Sequence, residues 1–181
     1  VEKGRAKLGG FEEVLSQLTA IDRLMIVGCG SAAYAGQVGK YMLEEYADLP
    51  VDVELGSEFR YRKVIPHKNS ALLAVTQSGE TADTLASVRK GKELGLLTLG
   101  MVNVVGSTIA RETDAGIYNH AGPEISIAST KGFISQVTAF VLLTLLIGRE
   151  RGLTQEKGVE IVTALGTLSQ AARKILEGKD H

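Results

Sequence analysis

Short apolar segments alternate with helical patterns along most of this chain, and this alternation limits the folds open to it. Apolar or alternating residues predict strands at 24–27, 51–55, 71–76, 96–102 and 115–119. Helical spacing predicts helices at 33–46, 81–94, 107–112, 130–151 and 154–177. Strands that alternate with helices form parallel sheets covered on both faces. The sequence therefore predicts an α/β, three-layer sandwich with a five-stranded parallel sheet and helices on both faces, flavodoxin-like or Rossmann-like.

Composition narrows the class of protein further. The chain has 181 residues, of which 44% are hydrophobic, and this suits one domain with a sizeable core. Its net charge of −1 gives no electrostatic reason to expect nucleic acid or an anionic membrane as a partner. The single cysteine, Cys29, excludes an internal disulfide and fits a reducing, cytoplasmic setting. The apolar run 133–147 is shorter than the roughly 18 residues of a membrane span, so we interpret it as a buried helix.

Ligands of open parallel sheets bind beyond the carboxyl ends of the strands, so three loops are candidates for a site. The first loop, residues 28–33, places two glycines between a strand and a helix. Exposed amides at such a turn favour an anion, and the Gly-x-Gly-x-x-Ala spacing also matches a weak dinucleotide fingerprint. The alternative is a tight turn in which Ser31 only caps the helix.

The second loop, residues 76–84, is the most informative. Thr76, Ser78 and Thr81 place three hydroxyls around Gly79 at the start of a helix. Hydroxyls and free amides can converge on a phosphate without a fixed charge, and the lysine of a P-loop is missing, so a sugar monophosphate fits better than a nucleotide triphosphate. The alternative is that Ser78 and Thr81 only cap the helix while Asp83 complements its dipole.

The third loop, residues 121–131, is a weaker candidate. Ser129 and Thr130 could cap the helix that follows, and Lys131 adds one positive charge. A lone lysine near a helix start is more often solvated than bound to a ligand.

Several residue strings resemble those of the glutamine:fructose-6-phosphate amidotransferases, the isomerising glucosamine-6-phosphate synthases. The similar strings are Cys29-Gly-Ser31, Ser57-Glu-Phe-Arg-Tyr-Arg62, Gln77-Ser-Gly-Glu-Thr-Ala-Asp-Thr-Leu85, Ala121-Gly-Pro-Glu124 and Ala128-Ser-Thr-Lys131. The third of these is long and specific, whereas the first is not. The resemblance covers the chain from about Leu8 to Leu176.

The resemblance implies a place in a larger protein. In that family a glutaminase domain precedes two sugar isomerase (SIS) domains, and this chain is similar to the first of the two. The chain would then be a single SIS domain over residues 1–181, a fragment of a longer polypeptide, with residues 1–10 the remnant of a linker. The family is dimeric through its isomerase part, so a homodimer is expected, with part of the 133–147 helix in the interface.

The same resemblance assigns ligand contacts to fructose 6-phosphate or glucosamine 6-phosphate, with no cofactor and no metal. The substrate-binding residues implied are Cys29, Gly30 and Ser31 beside the sugar, Thr76, Gln77, Ser78, Gly79 and Thr81 around the phosphate, and Ser129 with the Ile127 backbone at the sugar hydroxyls. Two positions depart from the family: Ala32 stands where a second hydroxyl residue is usual, and Thr76 replaces a serine.

No catalytic residue is expected within this chain. In the family the glutamate base, the ring-opening histidine and a terminal lysine belong to the second isomerase half, which nothing here matches. Glu80 lies near a helix N-terminus that should lower its pKa and make it a poor base. Glu124, His67 and His120 are weaker local candidates. The expectation is that the chain binds the ligand but does not turn it over.

Other assignments stay open. A stand-alone sugar-phosphate-sensing domain would need a DNA-binding module and a basic patch, and neither is visible in the sequence. A nicotinamide-dependent oxidoreductase would use the first loop and an acidic residue such as Asp52 or Glu54, but would leave the second loop without a role. Arg60 and Arg62 are expected either to pair with acidic groups across a subunit contact or to be solvated.

Overall fold

The computed structural model describes residues 1–126 and 128–178 of the chain. Its strands are β1 (Arg23–Gly28), β2 (Val51–Leu55), β3 (Ser70–Thr76), β4 (Leu97–Val102) and β5 (Ala115–Tyr118). Its helices are a 3₁₀ helix (Gly9–Val14), α1 (Leu15–Thr19), α2 (Ser31–Ala47), α3 (Gly56–Phe59), α4 (Ala82–Glu93), α5 (Thr108–Glu112), α6 (Lys131–Gly148) and α7 (Gln155–Glu177). The predicted strands and helices are confirmed, with small shifts at their ends.

The five strands form one parallel sheet in the order β2-β1-β3-β4-β5. The chain moves outward from β1 to β2 on one side and from β3 through β4 to β5 on the other. The strand order therefore changes direction between β1 and β3, where Gly28 pairs with Val75. A crevice opens at such a switch point, at the carboxyl ends of the two strands.

Alternation along the buried strands divides the interior into two cores. Leu24 and Ile26 of β1 face one side of the sheet and pack in the cluster that contains α2 and α6. Met25 and Val27 face the other side, where Val88 of α4 contributes to a second cluster. Because successive strand residues point to opposite faces, an uninterrupted apolar strand requires helices on both sides. The three-layer α/β prediction is confirmed.

Helix α6 is long and apolar enough, by length and composition, to cross a bilayer, but 56% of that 18-residue stretch is buried within the protein. It lies against α2, with the Phe140 ring over Gly39, where a Cβ would come within 2.3 Å of a ring carbon. Gly39 thus lets the two helices approach closely. The interpretation of this segment as a buried helix agrees with the packing, and the helix is slightly shorter than the predicted 130–151.

The N-terminal region contains helical structure that was not predicted from the sequence. Phe11, Val14 and Leu18 of the 3₁₀ helix and α1 are buried in the first core. Their spacing is helical and could have been recognised from the sequence. Within residues 1–10, Ala6 is 3% exposed, and Gly4 lies against the backbone of Gly158 in α7. The assignment of residues 1–10 as a linker remnant stays a prediction.

Helix α7 leaves the domain after its first turns. Its buried residue is Gly158, and Ile161 and Val162 pack partly on the first core. Most residues from Thr163 to Gly178 are exposed. Thr154 begins the helix by accepting a hydrogen bond from the Lys157 amide at 3.2 Å, a standard N-cap.

Candidate functional site

The first and second loops meet at the switch point of the sheet because β1 and β3 are neighbours. Gly28 ends β1 opposite Val75, and Thr76 ends β3. The first loop leads into α2 and the second into α4, so two helix N-termini converge on one crevice. Such N-termini carry unpaired amides and a partial positive charge, which together favour an anion.

The second loop gathers its three hydroxyls as the sequence predicts. The Thr81 Oγ1 lies 3.4 Å from the Thr76 Oγ1 and 3.5 Å from the Ser78 Oγ. The Gly79 amide donates to the Thr76 Oγ1 at 3.2 Å, and the Glu80 amide donates to the Ser78 Oγ at 3.2 Å. These bonds fold the loop back on itself and hold the three hydroxyls at one point above the start of α4.

The hydroxyls of the two loops do not cap their helices. Thr81 is the N-cap residue of α4, and its side chain forms no hydrogen bond with the amides of the first turn. Gly30, with a φ of +58°, is the N-cap of α2, so Ser31 does not cap that helix. The capping interpretations of Ser31 and Thr81 are therefore wrong. Within the described part of the chain, no side chain occupies the amides that begin α2 or α4.

A cavity of about 170 Å³ opens where the two loops meet. Its lining includes six of the predicted binding residues, which are Cys29, Ser31, Thr76, Gln77, Ser78 and Thr81. The structure adds Ala32, Val75 and Gln136 to them. The two loops are further connected by the Cys29 Sγ, which lies 3.6 Å from the Thr84 Oγ1.

Three further predicted binding residues, Gly30, Gly79 and Ser129, are not part of this lining. Gly30 borders a neighbouring cavity of about 250 Å³ that also contains Tyr34. Gly79 faces the start of α5, and Ser129 donates a hydrogen bond to the Glu124 Oε2 at 3.3 Å. Ile127 is outside the described residues, so the prediction for its backbone stays a prediction.

Glu124 caps α6 from the third loop. Its Oε2 accepts hydrogen bonds from the Gly132 amide at 2.9 Å and the Thr130 amide at 3.2 Å. The Gly132 amide, followed by the bonds from Thr130 and Ser129, lowers the pKa of the Glu124 carboxyl. The cap therefore comes from Glu124, whereas Ser129 and Thr130 were the capping candidates in the sequence. The arrangement makes Glu124 a structural acceptor and a poor general base.

Glu80 is held by α5 and not by the helix that follows it. Its Oε1 accepts a hydrogen bond from the Thr108 amide at 2.7 Å, at the start of α5. This bond and that of the Thr108 hydroxyl lower the pKa of the Glu80 carboxyl. The direction of the pKa shift agrees with the prediction, but its main cause is α5 and not the helix that follows Glu80. The contact fixes the second loop against α5.

The two arginines beside β2 pair within the chain. The Arg60 Nη1 donates to the Asp83 Oδ1 at 2.7 Å, and the Arg62 Nε donates to the Glu54 Oε2 at 2.6 Å. Both arginines thus pair with acidic groups of the same chain, and Arg62 is exposed as well. A subunit contact through either arginine stays a prediction. Asp83 was expected to complement the dipole of α4, and from the first turn of that helix it also binds Arg60.

Other candidates from the sequence lie at the surface. His67, His120 and Lys131 are exposed, and His120 has a φ of +53° in the turn after β5. The His120 ring is 5.9 Å from that of Tyr118. Within residues 1–126 and 128–178, no group of three histidine, cysteine or carboxylate side chains is placed to hold a metal ion.

A larger cavity lies elsewhere in the protein. It measures about 680 Å³ and lies between the N-terminal segment and α6, lined by residues such as Leu8, Phe11 and Leu146. None of the three loops contributes to its lining. We place the candidate site at the smaller cavity, because it combines hydroxyls, helix N-termini and the switch point of the sheet.

Gln136 is the polar residue of the site that sequence reasoning missed. It lies in the second turn of α6 and is 1% exposed. The signal was present, since a glutamine inside a helix expected to be buried requires a polar partner. The sequence could not show that α6 returns to the ends of β1 and β3.

Comparison with known proteins gives a family. The model of the SIS domain matches residues 17–146. A glutamine–fructose-6-phosphate aminotransferase (isomerising) of Chlorobaculum tepidum is 45% identical over 175 residues, which are 97% of this chain and 28% of that protein. The protein of the same name from Corynebacterium efficiens is 42% identical over 180 residues, 99% of this chain and 29% of that protein.

A solved structure agrees in fold. The C-terminal domain of glucosamine-fructose-6-phosphate aminotransferase from Francisella tularensis superposes with a TM-score of 0.83 at 32% identity, covering 92% of this chain and 48% of that one. The chain thus spans less than a third of the curated relatives named above. The resemblance found in the loop strings is confirmed at the level of the domain. Because the SIS-domain model matches most of this chain, the chain belongs to the SIS-domain family.

Proposed function

We propose that this chain binds a hexose phosphate, fructose 6-phosphate or glucosamine 6-phosphate, in the cavity between the first and second loops. The observation that carries the proposal is the convergence of the Thr76, Ser78 and Thr81 hydroxyls at an α4 N-terminus that Thr81 does not cap. Phosphate oxygens accept hydrogen bonds from hydroxyls and from the first amides of a helix. Gln77 borders the same cavity and adds a further amide group.

The charge of the site favours a monophosphate. The second loop contains no lysine or arginine, and Arg60 beside it is paired with Asp83. A polyphosphate would bring more negative charge than neutral hydroxyls and two helix N-termini can balance. A sugar monophosphate presents one anionic group to the second loop and leaves its hydroxyls for Ser31, Cys29 and the third loop.

The names of the relatives support a role in a larger enzyme. We propose that the chain is the first SIS domain of a cytoplasmic, homodimeric glucosamine-6-phosphate synthase, with a glutaminase domain and a second SIS domain elsewhere in the protein. Relatives with that activity in their names are more than three times as long as the part that this chain matches. We propose further that the reaction needs no cofactor or metal.

We also propose that this domain binds without turnover. Isomerising a ketose phosphate requires a general base of suitable pKa close to the sugar carbons. Glu80 and Glu124 both accept hydrogen bonds from backbone amides that lower the pKa of their carboxyls. Neither is suited to remove a proton from carbon, so the base must come from elsewhere in the assembly.

A dinucleotide site on the first loop has less support. That chemistry needs a free carboxylate near the end of β2 to bind a ribose. Glu54 is held by the Arg62 guanidinium, and Asp52 accepts from the Arg23 Nη1 at 2.6 Å. Both candidate carboxylates are therefore engaged with arginines.

The test is calorimetric titration of the chain with fructose 6-phosphate, glucosamine 6-phosphate and NAD in parallel. A hydrogen bond to a charged group contributes about 1.5–3 kcal/mol, so Thr81→Val should weaken hexose phosphate binding about 10- to 150-fold. Thr163→Val, an exposed threonine of α7 whose hydroxyl bonds only to the helix backbone, is the matched control and should bind like the wild type.

Two results would contradict the proposal. If NAD binds and neither hexose phosphate does, the first loop holds a dinucleotide. If hexose phosphates bind equally well to the wild type and to Thr81→Val, the second loop does not hold the phosphate.

A further inference from the structure

The cavity between the first and second loops has one wall that neither loop supplies. Gln136 reaches it from α6, a helix whose other buried residues are mostly apolar. The side chain is almost fully buried, with 1% of its surface exposed. Gln136 thus lines the cavity from the interior of a helix, whereas Thr76, Gln77, Ser78 and Thr81 line it from a loop.

The carboxamide oxygen of Gln136 is not satisfied by the described part of the protein. Its Oε1 is buried and accepts no hydrogen bond from the residues that the structure describes. Burying an amide group without a partner costs about 1–3 kcal/mol, and an apolar residue of similar size would avoid that cost. Ala32 in the same lining has no side-chain donor, and the hydroxyls of Thr76, Ser78 and Thr81 form no hydrogen bond with this oxygen. A hydroxyl of a bound ligand would supply this missing partner.

We propose, on the basis of the hexose phosphate site argued above, that Gln136 is a specificity-determining residue whose carboxamide oxygen accepts a hydrogen bond from a hydroxyl of the bound sugar. The torsion that turns a terminal carboxamide is soft, so this oxygen can face the cavity without a change of the helix. A phosphate monoester dianion has no proton to donate, whereas every free sugar hydroxyl has one.

The two parts of the site then divide the ligand between them. The hydroxyls of Thr76, Ser78 and Thr81 donate to the phosphate, which any inorganic dianion can imitate. Gln136 accepts from the sugar, which an inorganic dianion cannot imitate. A site that lacks the Gln136 acceptor should keep its affinity for anions and lose its preference for sugar phosphates.

The experiment is calorimetric titration at pH 8 of the wild type and of Gln136→Leu, with fructose 6-phosphate and with sulfate, a dianion without a hydroxyl. We expect Gln136→Leu to bind fructose 6-phosphate about 2- to 12-fold more weakly, the range for one neutral hydrogen bond, and to bind sulfate as the wild type does. Urea unfolding should show a stability equal to or above that of the wild type, because an unpaired buried amide is removed.

The matched control is Thr144→Val in the same helix. Thr144 is also buried with an unpartnered hydroxyl among the described residues, but it does not border the cavity. This variant should bind both ligands like the wild type.

Equal binding of fructose 6-phosphate by the wild type and Gln136→Leu overturns the inference and leaves the proposed function intact. Parallel losses of fructose 6-phosphate and sulfate also overturn it, since the residue would then act on the phosphate or on the fold. A wild type that binds sulfate but no hexose phosphate refutes the proposed function itself, and this inference with it.

Discussion

Replacement of Gly79 by alanine would test how tightly the second loop is fixed against α5. Gly79 has a φ of +69°, and a Cβ built there lies 1.9 Å from the Ser107 Oγ and 2.8 Å from a methyl carbon of Val102. Contacting carbon atoms are ordinarily about 3.5–4.0 Å apart, so Ser107 or the loop must move. The Gly79 carbonyl accepts from the Ile109 amide at 3.0 Å, which resists that movement.

The expected cost has two parts. A left-handed backbone conformation costs an alanine about 1–2 kcal/mol, and overpacking a close contact adds about 1–3 kcal/mol. Gly79→Ala should therefore lower the free energy of unfolding by about 2–5 kcal/mol. Gly106→Ala is the matched control, since Gly106 has a φ of +72° and nothing within 4 Å of its Cβ position. It should cost only the first part.

The assay is urea unfolding followed by circular dichroism, with the m-value checked for each variant. The double variant Gly79→Ala, Ser107→Gly should lose about 1 kcal/mol or more less unfolding free energy than the sum of the two single losses. The reason is that substitutions at contacting residues are not additive. If Gly79→Ala and Gly106→Ala destabilise the protein equally, the contact with Ser107 carries no energy. The reasoning from the close approach would then be refuted.

Two further predictions concern packing and pH. Gly39→Ala should destabilise the protein by about 1–3 kcal/mol, because the added methyl group overlaps the Phe140 ring. The control, Gly166→Ala in exposed α7, should be neutral or stabilising by up to about 1 kcal/mol. Thermal unfolding compares the two variants, and equal effects would contradict the close α2–α6 packing. The pKa of Glu124 is lowered in the folded state from its ordinary value of 4.5, so its contribution is present above that pH and is lost as pH falls through the lower folded value. When the pH is lowered below about 5, the free energy of unfolding of Glu124→Gln should therefore fall less than that of the wild type, as measured by urea unfolding. Identical pH dependence of the two proteins would show that the cap is not formed.

The second loop shows how far local sequence goes in defining a site. Its hydroxyls lie within six residues of one another, so a single turn is enough to bring Thr76, Ser78 and Thr81 together. The residue types predicted an anion site, and the turn supplied the geometry. Capping could not be predicted in the same way, because whether a hydroxyl bonds to its own helix depends on the backbone angles of the loop.

The hydrogen-bond partners of the charged residues could not be predicted from local sequence. Glu80 bonds to Thr108, and Arg60 bonds to Asp83. The partners in each pair are more than 20 residues apart in the chain, and no local sequence pattern connects them. Each pair forms because α3, α4 and α5 lie on the same face of the sheet. The short helix α3 was itself not predicted, since a single helical turn carries too little periodicity to be recognised.

By itself, the sequence determined the layered α/β fold and the loop that begins α4, because both follow from patterns that repeat or cluster locally. Strand alternation required helices on both faces, whatever the order of the strands. The tertiary structure alone decided the strand order, which places β1 beside β3, and the return of α6 that brings Gln136 to their ends. These contacts join residues that are distant in the chain, and their energies depend on the packing of the whole domain, which no local pattern encodes.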